Sequence, residues 1–376
     1  AGCSLDITPA ITGTVSNITD NCSDPNFTTT FNDVVTAGSC TDNYTITRTW
    51  TVADHCGNET THNQTINVRD IIAPTFTVPA NITVYTDGAC NYNVLPAVTG
   101  NPSNVADNCT TSPAVTYEDN NVAGSCQGSR VITRTWTVTD NCGNFSTATQ
   151  VITVSDNTPP TFTVPPTATV YKDAECNHNI DPSVTGVPTL INDNCSTSAV
   201  VTHTDETVAG NCTGAFVVTR TWRVTDNCGN YSTATQTINI LDNIAPTFTV
   251  PADITIFTNT NCEYDATIAQ TGDVVNEHDN CSQNIQATFT DAIADGTCAG
   301  EKVITRTWTL VDDCSNTTTK TQIITVEDNI APTFEVPANI TIYTDATCAY
   351  NALPAVTGNP TSVRDNCTSA PVVTYN

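Results

Sequence analysis

Residues 131–144 read Val-Ile-Thr-Arg-Thr-Trp-Thr-Val-Thr-Asp-Asn-Cys-Gly-Asn, and this stretch decides the fold. Its first eight residues alternate, so Ile132, Arg134, Trp136 and Val138 face one side of a strand while threonines face the other. The stretch recurs with small changes around each tryptophan, and the tryptophans are always 86 residues apart, at Trp50, Trp136, Trp222 and Trp308. A fixed step of this kind predicts a tandem array of one module.

The 86-residue step divides the whole 376-residue chain. Pro-Thr-Phe tripeptides keep the same interval, beginning at Pro74, Pro160, Pro246 and Pro332. We expect complete modules at 73–158, 159–244 and 245–330, a partial one at 1–72 that lacks its first strand, and a truncated one at 331–376. We therefore interpret the sequence as a stretch of a longer protein.

Short segments rich in Val, Ile, Thr and Tyr, separated by Asn, Asp, Gly and Pro, indicate the structure of one module. The strands predicted in the module 73–158 are 75–87, 93–100, 114–119, 131–140 and 146–156. Turn signals every 10–15 residues favour an antiparallel β-sandwich. The sequence has no sustained 3.6-residue period, so we predict no helix. The predicted fold class is all-β, a tandem array of antiparallel β-sandwich domains with an 86-residue repeat.

Eighteen cysteines, four in each complete repeat, predict disulfides and an extracellular compartment. A zinc site needs close Cys pairs or nearby His ligands, and neither recurs in register. If strand direction alternates, Cys90 and Cys126 share one end of the module, and Cys109 and Cys142 share the other. We therefore predict the bonds Cys90–Cys126 and Cys109–Cys142. The corresponding pairs are Cys176–Cys212, Cys195–Cys228, Cys262–Cys298, Cys281–Cys314, Cys3–Cys40 and Cys22–Cys56.

The net charge of −27, with only 11 lysines and arginines, excludes several function classes. Nucleic acid and anionic lipid both require a basic face, so neither is an expected partner. No apolar run reaches the roughly 18 residues of a membrane span. The chain lacks nucleophile-elbow, zinc-protease and phosphate-loop motifs, and its five histidines occupy different repeat positions. A catalytic constellation is therefore not expected, and we predict that the protein is not an enzyme.

Three recurring motifs together resemble the HYR and HYR-like domains. They are the junction pattern Asp-Asn-x-(Ala/Pro)-Pro-x-Phe, the Asp-Asn-Cys turns, and the segment 134–144 with its Arg-Thr-Trp-Thr-Val-Thr-Asp-x-Cys-Gly-Asn pattern. The resemblance covers the whole chain. It implies immunoglobulin-like β-sandwich domains in tandem on extracellular proteins, including large bacterial surface proteins and adhesins. It also implies a secreted structural or adhesive role, with no family activity to carry over.

The expected function is a structural extracellular fibre or stalk at the cell surface, built of rigid modules with almost no linker. Its expected partners are copies of itself or neighbouring modules in a filament, and covalent glycans. The alternatives are an adhesin that binds carbohydrate or cells, and a spacer in a larger secreted enzyme. An adhesin would use an exposed Arg–Trp platform, formed by arginines that each precede a tryptophan by two residues: Arg48, Arg134, Arg220 and Arg306. We favour structural arginines whose stems pack beside the core tryptophans, with the guanidinium stacked on a ring or paired with a buried carboxylate.

Sixteen Asn-x-Ser/Thr sequons occur, and nine of them fall in two repeat registers. The first register follows the fourth cysteine of a repeat and contains Asn58, Asn144, Asn230 and Asn316. The second lies in Asp-Asn-Cys turns and contains Asn21, Asn108, Asn194, Asn280 and Asn366. Both registers are predicted N-glycosylation sites. We expect the first to be more accessible, because its members lie in open Gly-Asn or Ser-Asn turns.

No motif calls for a cofactor, but the junctions hold a candidate calcium set. Asp156, Asp242 and Asp328 each end one module, and the acidic turns at Asp107, Asp193 and Asp279 are placed to approach from an adjacent loop. Oxygen ligands of this kind are those that Ca²⁺ prefers. The first junction, 69–72, reads Arg-Asp-Ile-Ile, which loses the asparagine and adds a positive charge. The alternative is an Asx turn that starts each proline linker.

Overall fold

The computed structural model describes residues 5–21 and 26–375. Contacts divide it into two compact units. The first contains the described residues up to 163 together with 190–202 and 223–233, and the second contains 164–189, 203–222 and 234–375. The described residues form β-strands and five one-turn helices, which confirms the all-β prediction. No helix among them is long and apolar enough to cross a membrane.

The elements recur in one order along the chain. The first repeat contains α1 (Pro9–Thr12), β1 (Thr28–Ala37), β2 (Tyr44–Ala53) and β3 (Glu59–Val68). Repeat 73–158 contains β4 (Thr75–Thr77), β5 (Ile82–Tyr85), α2 (Pro96–Thr99), β6 (Ser103–Ala106), β7 (Ala114–Ala123), β8 (Arg130–Thr139) and β9 (Phe145–Ser155).

The later repeats follow the same plan. Repeat 159–244 contains β10 (Thr161–Thr163), β11 (Ala168–Tyr171), α3 (Pro182–Thr185), β12 (Thr189–Asn192), β13 (Val200–Ala209), β14 (Phe216–Thr225) and β15 (Tyr231–Leu241). Repeat 245–330 contains β16 (Thr247–Thr249), β17 (Ile254–Phe257), α4 (Ile268–Thr271), β18 (Val275–His278), β19 (Thr288–Asp295), β20 (Lys302–Val311) and β21 (Thr317–Glu327). The last repeat contains β22 (Thr333–Glu335), α5 (Pro354–Thr357) and β23 (Thr361–Arg364).

Repeat 73–158 shows how two layers arise. The single strand predicted over 75–87 is broken at 78–81, so β4 and β5 join different sheets. Strand β4 pairs with β6, while β5 joins a four-stranded sheet in the order β5-β9-β8-β7. Strand β5 runs parallel to β9, with Ile82 opposite Ile152. The sandwich is thus antiparallel except for this one pair.

The one-turn helices correct the expected absence of helix. The strand predicted over 93–100 is instead a loop and the helix α2. Pro96 opens the helix with a backbone angle that suits its first turn. Gly100, at a φ of 98°, closes it by donating its N–H to the Pro96 carbonyl. A helix of one turn is too short to produce a 3.6-residue pattern.

The inward face of β8 forms the core, as the alternation predicts. Ile132, Trp136 and Val138 are buried, and Arg134 is only 1% exposed. The Arg134 guanidinium donates to both oxygens of Asp119 on β7, at 2.7 and 2.8 Å, and lies 4.2 Å from the ring centroid of Tyr117. The exposed Arg–Trp platform is therefore wrong, and the interpretation of a buried, paired arginine is confirmed.

The predicted disulfide pairing is wrong, because the bonds join consecutive repeats. Cys90 bonds Cys195, Cys126 bonds Cys228, and Cys142 bonds Cys40. The further bonds are Cys176–Cys281, Cys212–Cys314 and Cys262–Cys367. Cys109 is also disulfide-bonded, whereas Cys56, Cys298 and Cys348 are free and exposed. Cys3 and Cys22 lie outside the described residues.

The error concerns the partner and not the end of the sheet. Arg130 opposes Val154 at the start of β8, and Tyr85 opposes Ser155, so the loops that carry Cys126 and Cys90 leave the same end. Instead of bonding each other, these two cysteines bond cysteines at the opposite end of the next repeat. Register within one module carries no information about that contact.

Candidate metal centre at the repeat junctions

Three groups of aspartates each bring carboxylate oxygens within 4.8 Å of one another. They are Asp70–Asp107–Asp140, Asp156–Asp193–Asp226 and Asp242–Asp279–Asp312. In every group the first aspartate follows the last strand of one repeat, and the other two come from turns of the next repeat. Each group therefore bridges a repeat junction.

Local turns orient two of the three carboxylates. Asp107 follows β6, and its Oδ2 accepts the N–H groups of Cys109 and Thr110 at 2.8 and 2.7 Å. Asp140 follows β8, and its Oδ1 accepts the N–H groups of Cys142 and Asn144, both at 2.8 Å. Asx turns of this type recur because Asp-Asn-Cys and Asp-x-Cys recur in the sequence.

Two carboxylate oxygens and one amide oxygen at the first junction are left without donors. Asp70 Oδ2, Asp107 Oδ1 and Asn108 Oδ1 are buried and make no hydrogen bond. The second and third junctions leave the same atoms unpaired: Asp156 Oδ2, Asp193 Oδ1, Asn194 Oδ1, Asp242 Oδ2, Asp279 Oδ1 and Asn280 Oδ1. Buried oxygens without a donor carry a desolvation cost, and their recurrence at every such junction makes them candidate ligands for a cation.

The carboxylates of these groups are buried or half-buried and lack a basic partner among the described residues. Asp70 is 8% exposed and Asp140 is 6% exposed. No ion pair in the described part of the chain includes an aspartate of the three groups. Carboxylates this close repel one another when ionised, and a cation held between them would offset that repulsion.

Hydrogen bonds favour the ionised form of Asp140. Burial raises the pKa of this carboxyl, but donors from the Asn144 side chain and from the backbone of Asn144, Cys142 and Gly143 outweigh it. The pKa therefore lies below its usual value. Protonation of Asp140 does not relieve the repulsion at neutral pH, and a bound cation does.

The donor set fits a hard divalent cation. Each group offers three carboxylates, and the neighbouring asparagine has an unpaired amide oxygen. Ca²⁺ takes six to eight oxygen ligands, some of which are usually waters. At the first junction Asp70, Asp107, Asp140 and Asn108 would hold the ion, and the chemistry supplied would be charge neutralisation and cross-linking of two repeats.

The sequence found part of this centre. Asp156 with Asp193, and Asp242 with Asp279, come together as expected, but the third carboxylates, Asp226 and Asp312, were missed. Their signal is the aspartate that recurs two residues before the fourth cysteine of each repeat.

Two junctions departed from the expected set. The first holds a complete group despite Arg69, whose Nη1 donates to the Val68 carbonyl and whose side chain makes no ion pair with Asp70. Asp328 belongs to none of the three groups. A hydrogen bond from Asn366, together with donors from Ile330 and Thr258, holds the pKa of Asp328 below its usual value.

The sequon asparagines also lie at the junctions. The Asn144 amide is half-buried and donates to Asp70 O at 3.1 Å and to Asp140 Oδ2 at 2.7 Å. Asn230 and Asn316 repeat these contacts with Asp156 and Asp242. The expectation of open turns is therefore wrong for these three.

In the second register, Asn194 donates to Asp87 O of the preceding repeat at 2.9 Å, and Asn280 to Asp173 O at 2.9 Å. Asn108 donates to Asp70 Oδ1 at 3.5 Å. Only Asn58 among the first register is exposed and bonded solely within its own turn, to Asp54. Asn21 is exposed, and its N–H donates to Asp20.

No family model matches the chain, and no curated protein is similar to it in sequence. Solved structures that resemble it include Drosophila N-cadherin EC1-4, at 13% identity and a TM-score of 0.26, with 86% of this chain and 97% of that chain covered. The protocadherin GammaB4 extracellular domain follows at 15% identity and a TM-score of 0.28, with 83% and 63% covered. Scores this low assign neither activity nor partner.

Proposed function

We propose that this chain is a structural extracellular stalk or fibre, in which consecutive β-sandwich repeats are fixed to one another by disulfides and by cation binding. The observation that carries the proposal is the position of the cystines. All six described bonds join residues 102 or 105 positions apart, and none closes within one repeat. Disulfides that served only small cores would close within a repeat, whereas these resist separation of neighbours.

We propose the boundaries 73–158, 159–244 and 245–330 for the complete domains, flanked by the partial repeats 1–72 and 331–376. The resemblance to HYR-like domains supports an extracellular, cell-surface location, with copies of the same module as partners. An adhesive role has less support, because the arginine–tryptophan pairs that suggested a sugar platform are buried.

Small-angle X-ray scattering of the oxidised chain tests the stalk. Strands of about 10 residues at about 3.3 Å per residue predict an axial spacing of roughly 35–45 Å per repeat. We expect the maximum dimension to match about four such spacings in calcium buffer. A compact particle, or a distribution typical of freely hinged beads, would rule out the stalk.

We further propose that Ca²⁺ is the cation at the three aspartate groups. Each group combines recurrent carboxylates, unpaired buried oxygens and no basic side chain in an ion pair with it. Extracellular calcium is a suitable ligand for such oxygen-only sites. Binding to the folded chain alone would stabilise it by about 2.7 kcal/mol per site at 100 times the dissociation constant.

Isothermal titration with CaCl2 after EGTA dialysis measures this binding. We expect at least three equivalents per chain and a fall in melting temperature of several degrees when EGTA is added. Asp107→Asn should remove one equivalent, because it replaces a carboxylate of the first group with an amide. Glu118→Gln, an exposed change of the same charge on β7, is the matched control and should bind like the wild type. Absence of binding heat, with an unchanged melting temperature in EGTA, would contradict the calcium assignment.

Glycosylation stays a proposal for both sequon registers. Attachment of a glycan replaces one amide N–H, and most of these amides use their N–H groups across a junction.

A further inference from the structure

Each carboxylate turn at a junction is also a cysteine turn. Asp140 accepts the N–H of Cys142, and Asp107 accepts the N–H of Cys109, both at 2.8 Å. At the second junction, Asp193 and Asp226 hold the N–H groups of Cys195 and Cys228 in the same way. The hydrogen bond therefore fixes the position of each cysteine relative to the carboxylate two residues before it.

The preceding repeat couples its carboxylate to its cysteine as well. The N–H of Asp70 donates to Asn43 Oδ1 at 2.7 Å, and the N–H of Asn43 donates to the carbonyl of Cys40 at 3.2 Å. At the second junction, Thr86 of the preceding repeat donates through Oγ1 to Asp156 Oδ1 at 3.2 Å and lies 3.5 Å from Sγ of Cys195 in the following repeat. Gathering the three carboxylates thus also brings the cysteines of both repeats together.

Chain entropy favours a different set of bonds. In an unfolded chain Cys126 lies 16 residues from Cys142, whereas its partner Cys228 lies 102 residues away. The probability of loop closure falls as the three-halves power of loop length, so the 16-residue pair is favoured over the 102-residue pair by roughly 16-fold. Docking of consecutive repeats must precede oxidation if the observed bonds are to form first.

Charge opposes that docking in the absence of a cation. The three carboxylates of a group come from two consecutive repeats and lie within 4.8 Å of one another, so they approach this closely only when the two repeats meet. The same carboxylates favour docking when a divalent ion neutralises them.

We propose that cation binding at each junction docks consecutive repeats before oxidation and thereby selects the inter-repeat disulfides. The inference rests on the proposed calcium site. In a glutathione buffer, the Cys40 thiolate attacks oxidised glutathione and releases one glutathione thiolate. The Cys142 thiolate then attacks the Cys40 sulfur of the mixed disulfide and releases the second. Two electrons pass from the cysteines to glutathione, and the two thiol protons go to the released glutathione or to the buffer.

Oxidative refolding of the full chain tests the inference. The fully reduced, denatured chain is diluted into a glutathione redox buffer with CaCl2 or with EGTA, and unreduced peptides are mapped by mass spectrometry. With calcium we expect the Cys40–Cys142 and Cys126–Cys228 peptides to dominate. With EGTA we expect pairs within one repeat, such as Cys126–Cys142, to increase at least several-fold.

A junction variant provides an internal control. Asp107→Asn should lose Cys40–Cys142 in calcium while Cys212–Cys314, at a distant junction of the same molecule, forms normally, and Glu118→Gln should resemble the wild type. Native pairing in EGTA, by a chain that binds calcium once oxidised, would overturn this inference alone. Failure of the oxidised chain to bind calcium in the titration would overturn both the site and the inference.

Discussion

Replacement of Arg134 with methionine is expected to lower the free energy of unfolding by about 3–5 kcal/mol, because it removes the buried member of an ion pair and leaves buried acceptors without a donor, at about 1–3 kcal/mol each. Arg134 is 1% exposed and donates to Asp119, to Thr99 Oγ1 at 2.9 Å and to the Val94 carbonyl at 2.7 Å. Methionine fills much of the same volume but donates no hydrogen bond, so all three acceptors lose a partner.

The matched control is Arg130→Met at the start of the same strand. Arg130 is exposed, and an exposed substitution usually changes stability by less than about 0.5 kcal/mol. Guanidinium denaturation monitored by Trp fluorescence measures both variants. A loss below about 1 kcal/mol for Arg134→Met would mean that the buried arginine is replaceable by an apolar side chain, as some buried ion pairs are.

This arginine illustrates what the sequence predicts well. Alternation over 131–138 identified the buried face of β8, and the position of Arg134 on that face required a carboxylate nearby. The partner itself was not found. Asp119 lies directly opposite Arg134 on β7, and this cross-strand register appears only when the hairpin is formed.

The local sequence pattern gave the wrong secondary structure where tertiary contacts determine it. The strand predicted over 93–100 is a loop followed by the helix α2. Thr99 of this helix accepts a hydrogen bond from Arg134 at its hydroxyl and one from Gln150 at its carbonyl. These contacts fix a turn that β-propensity alone reads as a strand. Similarly, most asparagines of the sequon registers donate hydrogen bonds across a junction, a role that a sequon pattern does not express.

The sequence predicted only part of the candidate metal centre, and the reason is physical. Asp156 and Asp193 are both turn residues with adjacent asparagines, and an Asp-Asn pair draws attention as an oxygen-rich site. Asp226 sits in a turn shared with the fourth cysteine, where it accepts the N–H of Cys228, and the sequence alone does not place this turn beside the other two. The distance between the three became visible only when consecutive repeats were in contact.

Loss of one inter-repeat cystine is expected to have an effect of similar size to the loss of Arg134. Cys126→Ser with Cys228→Ser removes one of two bonds between repeats 73–158 and 159–244, and Cys90–Cys195 remains. Because the remaining bond already closes the long loop, the second bond closes a ring of roughly 70 residues. In the chain-entropy model such a ring is worth about 4 kcal/mol.

The chain supplies its own control for this change. Cys298 occupies the register of Cys126 and is unbonded in this 376-residue chain, so in this chain Cys298→Ser makes the same chemical substitution without breaking a bond. Guanidinium denaturation without reductant should show a lower midpoint for the double variant and no change for Cys298→Ser. After complete reduction the double variant and the wild type should differ little, since the bond is then absent from both. Equal midpoints before reduction would mean that the cystine does not constrain the unfolded chain, and its role would be confined to holding the repeats under load.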